Sequence, residues 1–256
     1  RVARLVGDAL IGAAFVTHAS GLPFALRQEA QRRFEAILEA RDVPHTPGLT
    51  VHQMLASPLQ LRAWISFGLP EKPEMLQAAA VALFNERPLL LLDPQQQLTP
   101  WLRAALPALH ERADAVRECQ PTEVIVRGEL DVYAESGVAL LMTRVEELGG
   151  EPLPPQWGAL LRDHRPSSWH THFRLIMSCL SNRPVLPAFQ LKHVIVIDCG
   201  VTLAALEEQL FLKLLETQRS PANLALLKAV QERDKLGDEA VAAERALLDR
   251  LASTAG

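Results

Sequence analysis

The sequence has no apolar run that approaches the ~20 residues needed to span a lipid bilayer. Its longest candidate, residues 9–15, is far too short, and the helix-breaking Ser-Gly-Leu-Pro at residues 20–23 follows it closely. No basic leader precedes a cleavage-like site, so the residues predict neither a membrane span nor a signal peptide. The chain begins at Arg1 and ends inside a helical pattern, and we therefore expect it to be part of a longer protein.

Cysteine and basic runs are also scarce. Cys119, Cys179 and Cys199 are few, odd in number and far apart, which argues against a disulfide framework and against a cysteine-based zinc site. We predict that they are small buried residues in a reducing compartment. The net charge is −4, and no Lys/Arg run or aromatic-basic interleaving indicates a nucleic-acid groove. With 48% hydrophobic and 22% charged residues, the composition is that of an ordinary globular protein.

Helical spacing dominates the first part of the chain. Two apolar sets flank the break at residues 21–23, namely Leu5, Ala9, Leu10 and Ala13 before it and Leu26, Ala30, Phe34 and Ile37 after it. Residues 41–48 carry two prolines and a glycine and predict a loop. Residues 51–67 resume helical spacing and end at a Gly-Leu-Pro stop signal.

Five short apolar runs then alternate with helical stretches, at residues 89–92, 124–126, 138–142, 173–177 and 194–197. Continuous apolar runs of this length are typical of strands buried on both faces, and the segments between them are long enough to be crossover helices. The pattern predicts an α/β fold in which helices cover both faces of a five-stranded parallel sheet.

The last fifty residues return to helical spacing. A leucine stripe covers residues 203–214, and a second amphipathic helix is predicted over residues 220–256. Its apolar spacing is close to a heptad, although Asp234 and Gly237 interrupt it, so the first arm of a coiled-coil hairpin is one interpretation. A helix packed on the globular body is the other.

Several segments together resemble the fifth AAA+ module of dynein heavy chains. The segments are LVGDAL with AFV behind it (residues 5–16), LQLRAWISFGLP (59–70), RPLLLLDPQQQLTPW (87–101), FRLIMSCLSNRPVLP (173–187) and VIVIDCGVTLAALEEQL (194–210). They occur in the family's order and cover almost the whole chain. The sequence resembles a divergent member of the family more than a conventional axonemal or cytoplasmic heavy chain.

The resemblance implies an AAA+ (P-loop NTPase-like) large subdomain over residues 1–219 and the start of the strut, or buttress, helix over residues 220–256. The expected partners are the neighbouring AAA+ modules of the same chain and, through the strut, the coiled-coil stalk. The parent would bind microtubules and, indirectly, dynein intermediate and light chains, and would use ATP and Mg²⁺ in other modules. It would belong to the cytoplasmic cytoskeleton, in the axoneme of a cilium or flagellum. No nucleic-acid or membrane partner is expected.

The loop after the first predicted strand lacks the residues that bind a triphosphate. Such a loop needs glycines that let backbone N–H groups wrap the phosphates, a lysine for their charge and a Ser/Thr for Mg²⁺. The candidate nucleotide-binding residues here are Asp93, Pro94, Gln95, Gln96, Gln97, Leu98 and Thr99. The loop contains neither glycine nor lysine, and Pro94 and Pro100 lack N–H donors. The resemblance implies that related modules usually carry glycine where Gln96 stands. We predict a degenerate site with no cofactor of its own.

The residues for hydrolysis are missing as well. A catalytic module of this kind ends its third strand in Asp-Glu, for the metal and the attacking water. Residues 140–144 read Leu-Leu-Met-Thr-Arg instead. Glu146 and Glu147 follow, and we predict that they are solvated charges at the start of a helix. No catalytic residue is therefore assigned.

Other candidate residues give weaker signals. His170 and His172, with His164 nearby, have no cysteine or carboxylate at ligand spacing, so no metal site is predicted. Arg183 is a candidate inter-module arginine, which would reach a neighbouring module's nucleotide, or else a surface arginine. Trp64 and Trp101 lie among leucines at helical spacing and are predicted to be core anchors.

The favoured hypothesis is mechanical: a non-hydrolysing module that couples a motor ring to its stalk. Two alternatives stay open. The module could bind a nucleotide through a non-standard pocket, or it could belong to an axonemal scaffold without motor activity.

Overall fold

The computed structural model describes residues 2–109, 112, 114–123, 127–161 and 168–200, together with separate positions between 206 and 243. The chain divides into two compact units. One consists of Arg1–Ser57 and Phe67–Gly200, and the other of Pro58–Ser66 and Val201–Gly256. The larger unit contains the sheet.

Five strands form one parallel sheet in the larger unit, in the order β2-β3-β4-β1-β5. The strands are β1 (Leu89–Leu92), β2 (Val116–Cys119), β3 (Ala139–Met142), β4 (Leu175–Cys179) and β5 (Ile195–Asp198). In register, Leu89 pairs with Ile176 of β4 on one side and with Ile195 of β5 on the other. The predicted α/β fold with a five-stranded parallel sheet is thereby confirmed.

Nine α-helices have both ends among the described residues up to position 200. They are α1 (Leu5–Ala14), α2 (Phe24–Glu39), α3 (Val51–Leu55), α4 (Pro58–Ser66), α5 (Pro73–Phe84), α6 (Leu98–Leu109), α7 (Arg127–Ser136), α8 (Pro155–Gly158) and α9 (Ala188–Leu191). Short 3-10 segments occupy Val2–Arg4, Val145–Leu148 and Ala159–Leu161, and a π-helical turn occupies Phe15–Ala19. No helix in the described part of the chain combines the length and the apolarity that crossing a membrane requires.

The sheet interior explains why three strands were easy to predict. Every residue of β1, β3 and β4 is buried, as expected for central strands covered on both faces. Leu90, Leu140 and Met177 belong to one core cluster, in which Trp157 is also fully buried. Trp64 and Trp101 are buried too, as predicted for core anchors.

One predicted strand differs from the structure. The apolar run at residues 124–126 lies outside the described residues, whereas β2 forms earlier, at Val116–Cys119. Its two middle residues, Arg117 and Glu118, are both exposed because β2 is the edge of the sheet. An edge strand with charged side chains gives no apolar run, and such charges discourage pairing with another chain.

The first two helices are confirmed, but the apolar face shared by Leu5, Leu10 and their neighbours is exposed. The buried face of α1 carries Gly7, Ile11 and Gly12 instead. A Cβ at Gly7 would overlap the carbonyl oxygen of Pro44, so glycine allows the helix to approach the loop closely. Residues 41–48 form that loop, as predicted.

In the other unit, the helical residues described between 206 and 243 include exposed Leu206, Leu210, Phe211, Leu214 and Leu236. Most of residues 220–256 lie outside the described residues, and the coiled coil stays a prediction.

Candidate functional site

The chain's path through the sheet marks one place as the natural position for a ligand. From β1 the chain crosses towards β2, whereas from the adjacent β4 it crosses in the opposite direction, to β5. Because parallel crossovers are right-handed, connections in opposite directions run on opposite faces of the sheet. Ligands of open α/β sheets bind at the crevice this creates beyond the carboxyl ends of the strands. Here that crevice lies between Asp93, after β1, and the end of β4.

The carboxylate of Asp93 accepts the main-chain N–H groups at the end of the loop, where α6 begins. The Asp93 side chain is completely buried. Oδ1 accepts the N–H of Gln97 at 2.9 Å, and Oδ2 accepts the N–H groups of Leu98 and Thr99 at 3.1 and 2.8 Å. These are the free N–H groups at the N-terminus of α6, where the helix dipole also favours negative charge. The carboxylate therefore caps the helix from within the chain.

Two hydroxyl groups extend this network. Thr99 Oγ1 donates its hydrogen to Asp93 Oδ2 at 2.8 Å, and it lies 2.7 Å from Ser178 Oγ of β4. A hydroxyl has only one hydrogen, so Ser178 must be the donor in the second bond. The Ser178 hydrogen is therefore donated to Thr99 Oγ1, and the Thr99 hydrogen to the Asp93 carboxylate. The hydroxyl that would serve a Mg²⁺ ion in a nucleotide-binding loop is engaged inside the protein.

The rest of the loop makes a tight turn. Gln96 donates its N–H to the Asp93 carbonyl at 3.1 Å and has φ = 51°, a left-handed conformation that favours glycine. This angle gives a physical reason for the glycine that the resemblance leads us to expect here. Gln95 and Gln97 are bonded to each other through their side chains at 3.3 Å, and Pro94 is half-buried. All seven predicted loop residues thus lie together beside the crevice.

The end of β3 presents a cation where a catalytic site needs acids. Arg144 follows Thr143 with φ = 59°, and its guanidinium lies 3.3 Å from Glu147 in an exposed ion pair. Glu146 accepts the N–H of Leu180 at 3.2 Å and so holds the loop after β4. Both glutamates lie in the 3-10 segment Val145–Leu148, close to the predicted helix start.

A small pocket opens at the crevice. Its volume is about 70 Å³, and its lining residues are Gln96, Thr99, Pro100, Arg103, Thr143, Arg144, Ser178 and Leu180. Pockets for small-molecule ligands usually measure about 300–1,000 Å³. No carboxylate lines it, and Arg103 is already paired with Glu118 at 2.7 Å. The pocket has room for a few water molecules.

The remaining candidates lie apart from this network. Arg183 is exposed in the loop after β4, and its N–H is donated to Ser181 Oγ at 3.1 Å. The rings of His170 and His172 meet edge to face at 5.0 Å, and His164 lies outside the described residues. No group of three His, Cys, Asp or Glu residues suited to a metal ion occurs in the described ranges.

All three cysteines are free and buried, as predicted. Burial raises the pKa of Cys119 to about 12 and that of Cys179 to about 11, and it raises the pKa of Cys199 well above its ordinary value. These thiols stay protonated at neutral pH, so they act as small apolar residues and not as nucleophiles or metal ligands.

Sequence reasoning located the loop but missed the role of Asp93. The available signal was an Asp-Pro turn a few residues before a helix, since aspartate is a preferred capping residue. The motif was interpreted only as a loop without glycine.

Comparison with known proteins finds relatives among dynein heavy chains. No protein-family model matches the chain. It is 26% identical over its full length to the dynein gamma chain of the flagellar outer arm of Chlamydomonas reinhardtii, 24% identical over 99% of its length to dynein axonemal heavy chain 5 of Mus musculus, and 23% identical over its full length to dynein axonemal heavy chain 10 of Homo sapiens. The chain spans only 6% of the length of each of these relatives.

Among solved structures, the chain is similar to the Hsp104–ADP complex of S. cerevisiae. The match covers 82% of this chain and 50% of that one, with 11% identity and a TM-score of 0.35. A likeness at this level carries no argument about function.

Proposed function

We propose that this chain, which is related over nearly its whole length to a segment of axonemal dynein heavy chains, is a non-hydrolysing AAA+ module of a dynein-like motor ring. Within the ring it is the fifth module. It serves the motor by its shape, and the ATP-driven step takes place in other modules. The sequence relationship supports the dynein assignment, and the crevice supports the absence of nucleotide chemistry.

The observation that carries the proposal is the buried Asp93 carboxylate at the N-terminus of α6. A phosphate bound in such a loop uses the first N–H groups of the helix. Three of those groups, on Gln97, Leu98 and Thr99, are donated to Asp93. An incoming phosphate would meet a buried negative charge, whose repulsion is screened far less than that of a surface charge. The loop therefore excludes a triphosphate twice, through missing donors and through charge.

Two further features point the same way. The pocket of about 70 Å³ is several-fold smaller than an ordinary ligand site. At the end of β3, Thr143 and Arg144 stand where hydrolysis would require a metal-binding and a water-activating acid. Repairing any one of these features leaves the others in place.

In the proposed ring, residues 220–256 enter the strut helix and pass ring movements to the coiled-coil stalk. The neighbouring AAA+ modules are the direct partners, and Arg183 is the candidate arginine for an inter-module contact. Microtubules and the dynein intermediate and light chains are partners of the parent alone. The place of action is the cytoskeleton of a cilium or flagellum, because the relatives are flagellar and axonemal heavy chains.

The first experiment measures equilibrium binding of fluorescently labelled ATP and ADP to the chain with Mg²⁺ present. We expect no saturable binding at millimolar nucleotide. A matched variant, Gln95→Ala with Gln97→Ala, removes one exposed and one half-buried loop side chain and keeps the main-chain N–H groups that bond to Asp93. Micromolar affinity that this variant abolishes would establish a non-standard nucleotide site and contradict the proposal.

A second experiment separates the motor module from an axonemal scaffold. Residues 220–256 are removed from the parent chain, and microtubule gliding and axonemal incorporation are both measured. The mechanical proposal predicts normal incorporation with lost gliding. Unimpaired gliding would instead favour the scaffold.

A further inference from the structure

The turn between α1 and α2 at residues 20–23, here called the α1–α2 corner, covers the outer edge of β5. The N–H of Asp198 is donated to the carbonyl of Ser20 at 3.0 Å. Ser20 Oγ lies 2.7 Å from the carbonyl of Val196 and 2.9 Å from that of Val16, so these two acceptors share its single hydrogen. These are outward-facing groups that a further strand would use. Gly21 packs beside them, and a Cβ added there would lie 3.2 Å from Cβ of Val196. The corner thus sits on the strand edge with little room to spare.

Arg27 joins the same place from the first turn of α2. Its side chain is 1% exposed, and Nη2 donates to the carbonyl of Asp198 at 3.0 Å. The pKa of Arg27 is lowered by burial, and the negative charges of Asp198 and Glu74 offset only part of this shift. A guanidinium nonetheless stays charged at neutral pH, so this is a charge-assisted bond in a buried setting.

Asp198 is the residue on which these contacts converge. Its N–H goes to Ser20, its carbonyl receives Arg27, and its Oδ1 accepts the N–H of Gly200 at 2.6 Å. Gly200 is the last residue of the larger unit, and the chain then continues into residue 201. The last residues of β5 are therefore fixed by main-chain bonds from an element that lies more than 170 residues earlier in the sequence.

We propose that Ser20, Arg27 and Asp198 form a clamp, the β5 clamp, that delivers any displacement of the α1–α2 corner to the chain where it leaves the sheet. The inference deepens the proposed mechanical function and rests on it. A module that works by shape needs a stiff connection between one of its surfaces and its outgoing chain. Directed bonds to the backbone, one of them charge-assisted, supply that stiffness.

The same helix contains a matched control. Gln31 lies one turn after Arg27 on the buried face of α2, and its Nε2 donates to the carbonyl of Leu49 at 3.0 Å. Both residues are buried polar side chains that hold α2 to a main-chain carbonyl. Only Arg27 reaches β5, so a general role in holding α2 predicts equal effects of the two residues at Asp198.

The test is a pair of double-mutant cycles read by amide hydrogen exchange on the whole 256-residue chain. Gly21→Ala acts as a wedge that pushes the corner away from Val196. It is combined with Arg27→Met in one cycle and with Gln31→Met in the other. The readouts are the amides of residues 195–200, with those of β1 as the internal reference.

Arg27→Met alone is expected to speed exchange at Asp198 by about tenfold, the loss of one buried charge-assisted bond, and to leave β1 unchanged. The wedge is expected to speed exchange at residues 198–200 when Arg27 is present and to add nothing once it is absent. With Gln31→Met the wedge effect should simply add. Arg27→Lys, which keeps the charge and loses the fork, should give a smaller increase and serves if the methionine variant does not fold.

Additive effects of the wedge and Arg27→Met would overturn the clamp, as would equal acceleration in β1 and β5. An unchanged rate at Asp198 in Arg27→Lys would do the same. These readouts involve no nucleotide, so a failed clamp leaves the binding result standing. Conversely, an unexpected nucleotide site would disprove the exclusion of nucleotide from the loop without altering the exchange pattern.

Discussion

Two buried charges of opposite sign lie beyond the carboxyl ends of adjacent strands, and they are held very differently. The Asp93 carboxylate, after β1, accepts four hydrogen bonds from donors within six residues of it. The Arg27 guanidinium, beside the end of β5, bonds to a carbonyl 171 residues away, and its buried Nε has no partner among the described residues. The first arrangement is local and complete, whereas the second is long-range and incomplete. The comparison suggests that Asp93 closes a site and Arg27 connects two elements.

The largest expected effect comes from Asp93→Ala. The variant leaves two buried N–H groups, one partly buried N–H group and the Thr99 hydroxyl without their acceptor, so the free energy of unfolding should fall by about 3 kcal/mol. Urea denaturation measures it. Asp93→Asn, which keeps one acceptor oxygen, should lose less. If both variants unfold at the same urea concentration as the unsubstituted chain, Asp93 does not stabilise the loop.

A smaller effect is expected from Arg27→Met. One charge-assisted bond is lost, but methionine fills much of the same volume and an incompletely bonded charge is removed, so we expect a loss of about 1–2 kcal/mol. Gln31→Met is the control in the same denaturation series. A loss larger than that of Asp93→Ala would reverse the comparison, because it would make the long-range contact the stronger of the two.

The next effect concerns the hydroxyl chain. Thr99→Val keeps the shape of the side chain and removes its hydroxyl, so Asp93 loses one donor and Ser178 loses its acceptor. We expect a loss of about 1 kcal/mol in the free energy of unfolding. Thr99→Ser retains the hydroxyl, and its free energy of unfolding should be much closer to that of the unsubstituted chain. Equal losses in the two variants would show that the methyl packing, and not the hydroxyl, matters at this position.

The smallest expected effect is the contribution of a third buried polar group, His52, to the pH dependence of stability. His52 of α3 is buried, and burial lowers its pKa below the ordinary value of 6.5. Below about pH 6.5 His52 binds a proton in the unfolded chain but not yet in the folded chain. Stability therefore decreases as the pH is lowered, until the pH passes the pKa of His52 in the folded chain. His52→Gln should flatten this part of the stability–pH curve between pH 7.5 and 5. A curve that keeps its slope would assign the loss to other groups.

The parts of the fold that could be predicted are those fixed by local pattern. Leu89–Leu92 is a run of four leucines that is buried on both faces, and the strand begins and ends where the run does. β2 could not be found in this way, because Arg117 and Glu118 at the sheet edge face solvent. The exposed apolar face of α1 misleads for a related reason: glycines, not leucines, mark its buried side.

The candidate site shows the same division. The residues Asp93–Thr99 follow β1 and lead into α6, and their assignment as a degenerate nucleotide loop stays a prediction. The capping by Asp93 is local and could have been found from the Asp-Pro turn before the helix. The Arg27 contact could not, because no local pattern tells a buried arginine in an amphipathic helix which distant carbonyl it will meet.

Because Asp93 already accepts the N–H groups at the N-terminus of α6, the substitutions that would build a nucleotide-binding loop have to be made in a particular order. Gln96→Gly would relieve the left-handed backbone at φ = 51°, and a lysine before Thr99 would restore a positive charge. Neither change frees the N–H groups, and the new lysine would find its nearest counter-charge in Asp93. Asp93 would have to be replaced first, and we expect that this substitution alone lowers the stability of the protein. If the proposed function is correct, nucleotide binding could therefore be restored only by several substitutions, the first of which lowers stability.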